Sequence, residues 1–298
     1  MENKMKTGWL PYNARERQRP QHMPTQGKTT QHGVTLIELM IGITIGLVTI
    51  AVAIGSLGIS RGISGSVSDA SQMQQQAAYL FRVIGQQARQ AGSIRLNLAF
   101  GQNAPATIDA ADLVAFETTF DRVNTTVSGT DAPGANEYQL SLGYQNYTES
   151  TFAGATDASF FRDCLGQQPS AAIVESGFRF VRPAGATSGE LSCAGANDVA
   201  QPMLNNVADF QVRYLVQVGA ATGNPTIQYR TAAQVGTNWN TVFGTEVCLE
   251  LVGSEVIDTA GATYRDCNWT IGAAETSRGN RLRMVFRNTF QIRSQGGV

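Results

Sequence analysis

From Leu39 to Ser60 the chain runs for 22 residues without a charge, and Arg61 ends the run. At about 1.5 Å per residue a helix of that length spans roughly 33 Å, close to the hydrocarbon core of a bilayer. A buried core helix of a soluble protein is seldom so long without a charge. Gly42, Gly46, Gly55 and Gly58 lower helix propensity in water, but glycine is common in membrane helices. One carboxylate, Glu38, stands at the head of the run. An isolated acid at membrane depth costs at least about 2.5 kcal/mol, and such residues pair with something.

Charge is divided sharply about this segment. Before Gly33 lie six basic residues (Lys4, Lys6, Arg15, Arg17, Arg19 and Lys28) against Glu2 and Glu16, a balance of +4. After it lie 16 arginines, no lysine and 21 acids, a balance of −5. The positive-inside rule keeps the basic leader cytoplasmic and places the rest across the membrane. Both histidines, His22 and His32, are in the leader, so the remainder lacks the commonest general base and metal ligand. The cysteines are Cys164, Cys193, Cys248 and Cys267, with no C-x-x-C spacing. Four cysteines beyond a membrane segment read as two disulfides in an oxidising compartment. Three pairings are possible; Cys164–Cys193 with Cys248–Cys267 is favoured, because each closes a short local loop.

The sharp boundary of the apolar region lies on its leading side, at Gly33. A cut between Gly33 and Val34 would leave the helix attached and give it a free amine at Val34, one turn from Glu38. A buried amine and carboxylate offset much of each other's desolvation, whereas either alone does not. These residues carry a resemblance. GVTLIELMIGITIGL (33–47) is similar to the class III signal of type IV prepilins. The resemblance implies that a prepilin peptidase cuts after Gly33 and N-methylates Val34, which stands where the family usually has phenylalanine. It also implies that Glu38 pairs with the Val34 amine of a neighbouring subunit. The leader is longer than most in that family; Met23 as a start would shorten it to MPTQGKTTQHG.

Downstream, Ala70, Met73, Ala77, Leu80, Ile84 and Ala88 recur at three- and four-residue steps. This predicts an amphipathic continuation of the helix as far as Gly92. Beyond it, LVAF (113–116), EYQLSLGY (137–144), SGFRFV (176–181), DFQVRYLVQV (209–218), TIQYR (226–230) and VCLELV (247–252) read as strands. In the last strand Leu282, Met284, Phe286, Phe290 and Ile292 share one face, while Arg281, Arg283, Arg287 and Arg293 share the other. Residues 124–136 and 183–199 read as Gly/Ala-rich loops. The expected fold is α+β: a long N-terminal helix, half membrane-spanning and half amphipathic, packed on a mainly antiparallel β-sheet head, as in type IV pilins. The expected divisions are a removed leader (1–33), a membrane or filament-core helix (34–60), its amphipathic continuation (61–92) and a β-rich head (93–298). FRDCLG (161–166), NNVADFQVRYLV (205–216), VCLEL (247–251), YRDC (264–267) and RLRMVFRNTFQIR (281–293) resemble the PilW group of minor pilins. RQAGSIR (89–95) fits as well, but the cysteine that PilW-like chains often carry after this glycine is missing, so no disulfide is expected there.

Other function classes fare worse. GKTT (27–30) resembles the tail of a phosphate-binding loop, but His22 stands where the first glycine belongs and no strand precedes it. GxSxG, GxGxxG and HExxH are absent, and Asp157, Asp163, Glu246 and Asp266 read as solvated loop and strand-end carboxylates. No enzyme activity, cofactor or metal is expected. Arg278, Arg281, Arg283, Arg287 and Arg293 could grip phosphate, yet the −5 balance argues against nucleic acid. NTT, NYT and NWT (124, 146, 268) are chance matches to a glycosylation triplet. The resemblance implies a minor pilin of a tip complex that primes pilus assembly. Its partners would be prepilin peptidase, other minor and major pilins and the inner-membrane assembly platform. It would be a single-pass inner-membrane protein with a periplasmic head before assembly, and at the cell surface afterwards. A J-type pseudopilin of a type II secretion system shares the fold; an adhesin or DNA-binding subunit shares the N-terminal signal.

Overall fold

The computed structural model describes residues 33–95, 120–151, 157–196, 199–219 and 223–292. The leader before Gly33, the expected strand at 113–116 and Arg293 lie outside them. The chain divides between Gly55 and Ser56 into two compact units, and the division falls within one helix, α1 (Leu36–Gln90).

In the first unit, Leu36, Ile37, Leu39, Met40, Ile41, Ile43, Ile45, Leu47, Val48, Ile50, Val52 and Ile54 are all exposed. Successive positions at 100° cover every side of a helix, so this segment is apolar all round. That is the pattern of a helix whose solvent is lipid or other helices.

In the second unit the helix becomes one-sided. Met73, Ala77, Leu80, Ile84, Ala88 and Ala91 are buried in the core, whereas Ala70 is half-buried. They pack on a sheet assembled from β1 (Val127–Ser128), β2 (Leu140–Gln145), β5 (Ile173–Val181), β6 (Gly189–Ala194), β7 (Ala200–Val218), β9 (Val242–Val256) and β12 (Arg281–Gln291), in that spatial order, with β8 (Thr226–Arg230) also on β7. Every pairing is antiparallel. Two small hairpins, β3 (Thr148–Ser150) with β4 (Asp157–Ser159) and β10 (Thr263–Tyr264) with β11 (Thr276–Ser277), one short helix, α2 (Ala232–Val235), and a 3-10 turn (Trp239–Thr241) complete the described elements. The architecture is α+β.

Alternation sets the faces. Phe210, Val212, Tyr214 and Val216 of β7 join Val247, Leu249 and Leu251 of β9 in the core. Leu282, Met284, Phe286 and Phe290 of β12 pack against it, and Ile292 is fully buried. Gly85 admits the ring of Phe290: a Cβ there would lie 3.0 Å from Phe290 Cε1. The helix end is tied by backbone. Gly92 N–H donates to Gly143 C=O at 2.8 Å, and Gln145 N–H to Ser93 C=O at 3.0 Å.

Two loop readings are corrected. Residues 183–199 contain β6, which forms a central strand between β5 and β7. Its sequence, GELSCA, has no β-branched residue, so pairing on both edges, rather than local propensity, makes it a strand. Residues 124–136 contain β1, paired with β2 through Val127↔Leu142. In addition, β7 begins at Ala200, nine residues before the apolar alternation starts.

Candidate functional site

Two regions carry the chemistry: the start of α1 and the polar face of the β7–β9–β12 sheet.

Helix α1 begins at Leu36 because Thr35 caps it. Thr35 Oγ1 accepts the Glu38 N–H at 3.3 Å, and Thr35 C=O accepts the Leu39 N–H at 3.1 Å. Thr35-Leu36-Ile37-Glu38 has the spacing of a capping box. Glu38 lies in the first turn, where a carboxylate favours the helix dipole. Sequence reasoning passed over this local role, although the Thr-x-x-Glu spacing signalled it. Val34 is 70% exposed. A Cβ on Gly33 would meet nothing within 4 Å. Packing therefore gives no reason for glycine at this position.

The cysteines form two bridges, Cys164–Cys193 and Cys248–Cys267, with Cα–Cα separations of 6.4 and 5.8 Å. The first ties the turn after β4 to β6, and the second ties β9 to the turn between β10 and β11. No described cysteine is free.

On the sheet face opposite α1, charges alternate across strands. Arg283 Nη1 donates to Glu250 Oε1 at 2.7 Å, and the Tyr264 hydroxyl donates to the same oxygen at 2.5 Å. Glu250 is 3% exposed. Burial first, and then the Glu250 hydrogen bond, push the Tyr264 hydroxyl well above the ordinary phenol range, so it serves as a fixed donor. Burial likewise raises the Asp209 carboxyl, against hydrogen bonds from Gln211 and Phe210 and the nearby Arg182 that lower it; Asp266 adds to the rise. Asp266 itself accepts from Asn268 N–H and from Thr276 Oγ1.

The arginines of the last strand are engaged within the chain. Arg281 Nη1 donates to the carbonyls of Gly253 and Ser254 at 3.1 and 2.7 Å. Arg287 Nη2 donates to Asp266 C=O at 2.8 Å, and its Nη1 lies 3.9 Å from Glu246 Oε1. Asp163, read as solvated, is 3% exposed and accepts from the N–H groups of Leu165, Gln167 and Ala196. Asp157 receives the Ser150 hydroxyl at 3.0 Å. Among the described residues no group of three or more His, Cys, Asp or Glu is placed to hold a metal ion. Among the described residues these groups form a hydrogen-bonded polar face.

Comparison with known proteins gives the class first. Residues 28–54 match the prokaryotic N-terminal methylation motif, across Gly33, Val34 and Glu38. A glycine boundary, that motif and a long apolar helix joined to an α+β head are features this chain shares with prepilin-type proteins. More narrowly, residues 180–294 match the family model of type IV pilus-assembly protein W, PilW. The matched region holds β6, β7, β9 and β12 and three of the four cysteines. Among solved structures, a type IV-like pilin from Thermus thermophilus is similar at 12% identity, covering 58% of this chain and 87% of that chain, with a TM-score of 0.29. No curated protein matches.

Proposed function

We propose that this protein is a minor pilin that joins other minor pilins in a tip complex and primes type IV pilus assembly. The observation that carries the reading is the junction at Gly33. A glycine that packing does not require stands directly before a capped helix that is apolar on every side and bears one first-turn acid. Prepilin peptidase would cut there and methylate the new amine of Val34. In the inner membrane the apolar helix anchors the chain, with the head in the periplasm. On assembly, the Val34 amine of one subunit pairs with Glu38 of its neighbour, and the helices exchange lipid for one another. The head contributes a surface and no catalysis. The PilW match favours a pilus over a secretion filament. Deleting the gene should abolish surface pili while leaving type II secretion intact, and the protein should be found in sheared filaments. Normal piliation with a secretion defect would overturn the pilus assignment.

A further inference from the structure

We propose that β7 holds a gap for one extended strand of a partner protein, at residues 208–213. The edge of β7 away from β9 is paired in two separate pieces. β6 pairs with it from Ala200 to Val207, and β8 resumes at Tyr214. Val207 has Gly189 on one side and Leu251 on the other, and Tyr214 has Arg230 and Thr245, so β6 and β8 lie along the same edge. Among the described residues no strand pairs with 208–213 on that edge. At about 3.3 Å per residue the gap is roughly 20 Å long. Register irregularities in the β7–β9 pairing bound it, between Val207 and Asp209 and between Leu215 and Val216.

The gap opens on a cleft of about 500 Å³ lined by Asp131, Gln139, Phe180, Asn268 and the β7 residues Asp209 to Arg213. Phe210 and Val212 are buried core residues, and the cleft runs along β7 from Asp209 to Arg213. The chain's own side chains stand in for a strand at one end: Phe210 N–H donates to Asp209 Oδ1 at 2.9 Å, and Ala208 C=O accepts from Arg182 Nη1 at 3.2 Å. A sheet edge with open main-chain positions is a template for strand addition.

Side-chain order specifies the occupant. Asp209, Gln211 and Arg213 share the polar face, with apolar Phe210 and Val212 between them. Directly opposite charges stabilise a strand pair and like charges oppose it. An added antiparallel strand therefore needs an acid beside Arg213 and a base beside Asp209. Read forward, it is acid–apolar–polar–apolar–base. Residues 209–213 of a second copy follow that order, but β6 and β8 flank the gap in every copy, and two recessed edges cannot meet. The occupant is accordingly a single unflanked segment of a different chain. This inference does not depend on the assembly reading, since peptide binding is measured whether or not the protein enters filaments.

The test uses the full-length protein in detergent micelles, the synthetic peptide GSEVTVRSG, and hydrogen exchange by mass spectrometry. The peptide should slow amide exchange within 208–213. GSEPTVRSG, whose proline removes the N–H that would face Val212, should not. Arg213→Glu should weaken binding of GSEVTVRSG about tenfold, and GSKVTVRSG should recover it. No protection at peptide concentrations up to about 1 mM, the weak end of specific binding, would overturn the proposal. So would equal protection by the proline peptide, or protection confined to β8.

Discussion

The carboxylate of Asp69 on α1 lies so close over Gly253 of β9 that a Cβ there would come 2.5 Å from Asp69 Oδ2. The same carboxylate accepts the Ser254 hydroxyl at 2.8 Å and the Glu255 N–H at 2.9 Å. One buried acid thus clasps the helix to the end of a strand, and the strand carries glycine where the acid needs room. Gly253→Ala should destabilise the head by about 1–3 kcal/mol through overpacking. Asp69→Ala should cost a similar amount, because it leaves donors unmet. The double variant should cost clearly less than the sum, since the clash leaves with the acid. Chemical denaturation of the four proteins measures this, and simple additivity would refute the clasp.

Glu250 is the common acceptor of Arg283 and Tyr264. Glu250→Ala strands a half-buried guanidinium and should destabilise the fold by about 3–5 kcal/mol. Exposed Glu275, whose Arg265 partner is itself exposed, should tolerate alanine within about 1 kcal/mol. The comparison is a pair of melting curves, and equal effects would contradict the buried-pair account.

Asp209 supplies a pH dependence with a definite sign. Its folded-state value is raised by burial, so its stabilising contribution is full below the unfolded carboxyl value of about 3.9. That contribution is lost as the pH rises through the folded value. Wild type should therefore lose stability relative to Asp209→Asn as the pH rises above about 4. Arg182 and Asp266 face this carboxyl and are unchanged in the comparison. A stability difference that stays constant with pH would place Asp209 in an ordinary solvated setting.

What the sequence disclosed follows from how each signal is written. The Met73–Ala88 stripe and the β12 alternation are periodic patterns, and the core uses them as read. β6 and the first nine residues of β7 carry no such pattern; Pro202, Asn205 and Asn206 stand in a strand because neighbours hold them there. The clasp of Asp69 and the Glu250 cluster join residues far apart in sequence, Asp69 with Ser254 and Glu250 with Arg283, and no spacing rule encodes such meetings. The Thr35 cap is legible in the Thr-x-x-Glu spacing, which places Glu38 in the first turn of α1.

The cap makes the Glu38 test sharper. Glu38→Gln keeps a side chain suited to the capping position but removes the charge, while Thr35→Ala removes the cap and keeps the charge. If the carboxylate answers a neighbouring amine, Glu38→Gln should be cleaved and inserted normally yet recovered in filaments at less than about a tenth of the wild-type level. Thr35→Ala should lose only the roughly 1 kcal/mol of a cap and still assemble. Quantitative immunoblots of membrane and sheared-filament fractions give the answer; normal incorporation of Glu38→Gln would remove the cross-subunit salt bridge.

The most direct test of the whole account is intact and N-terminal mass spectrometry of the protein from membranes and from sheared surface filaments. The account predicts a chain that begins at Val34, carries one added methyl group and is present in the filaments. A chain that keeps residues 1–33 in both fractions would contradict it, because Glu38 would then have no neighbouring amine and the helix would be a permanent membrane anchor.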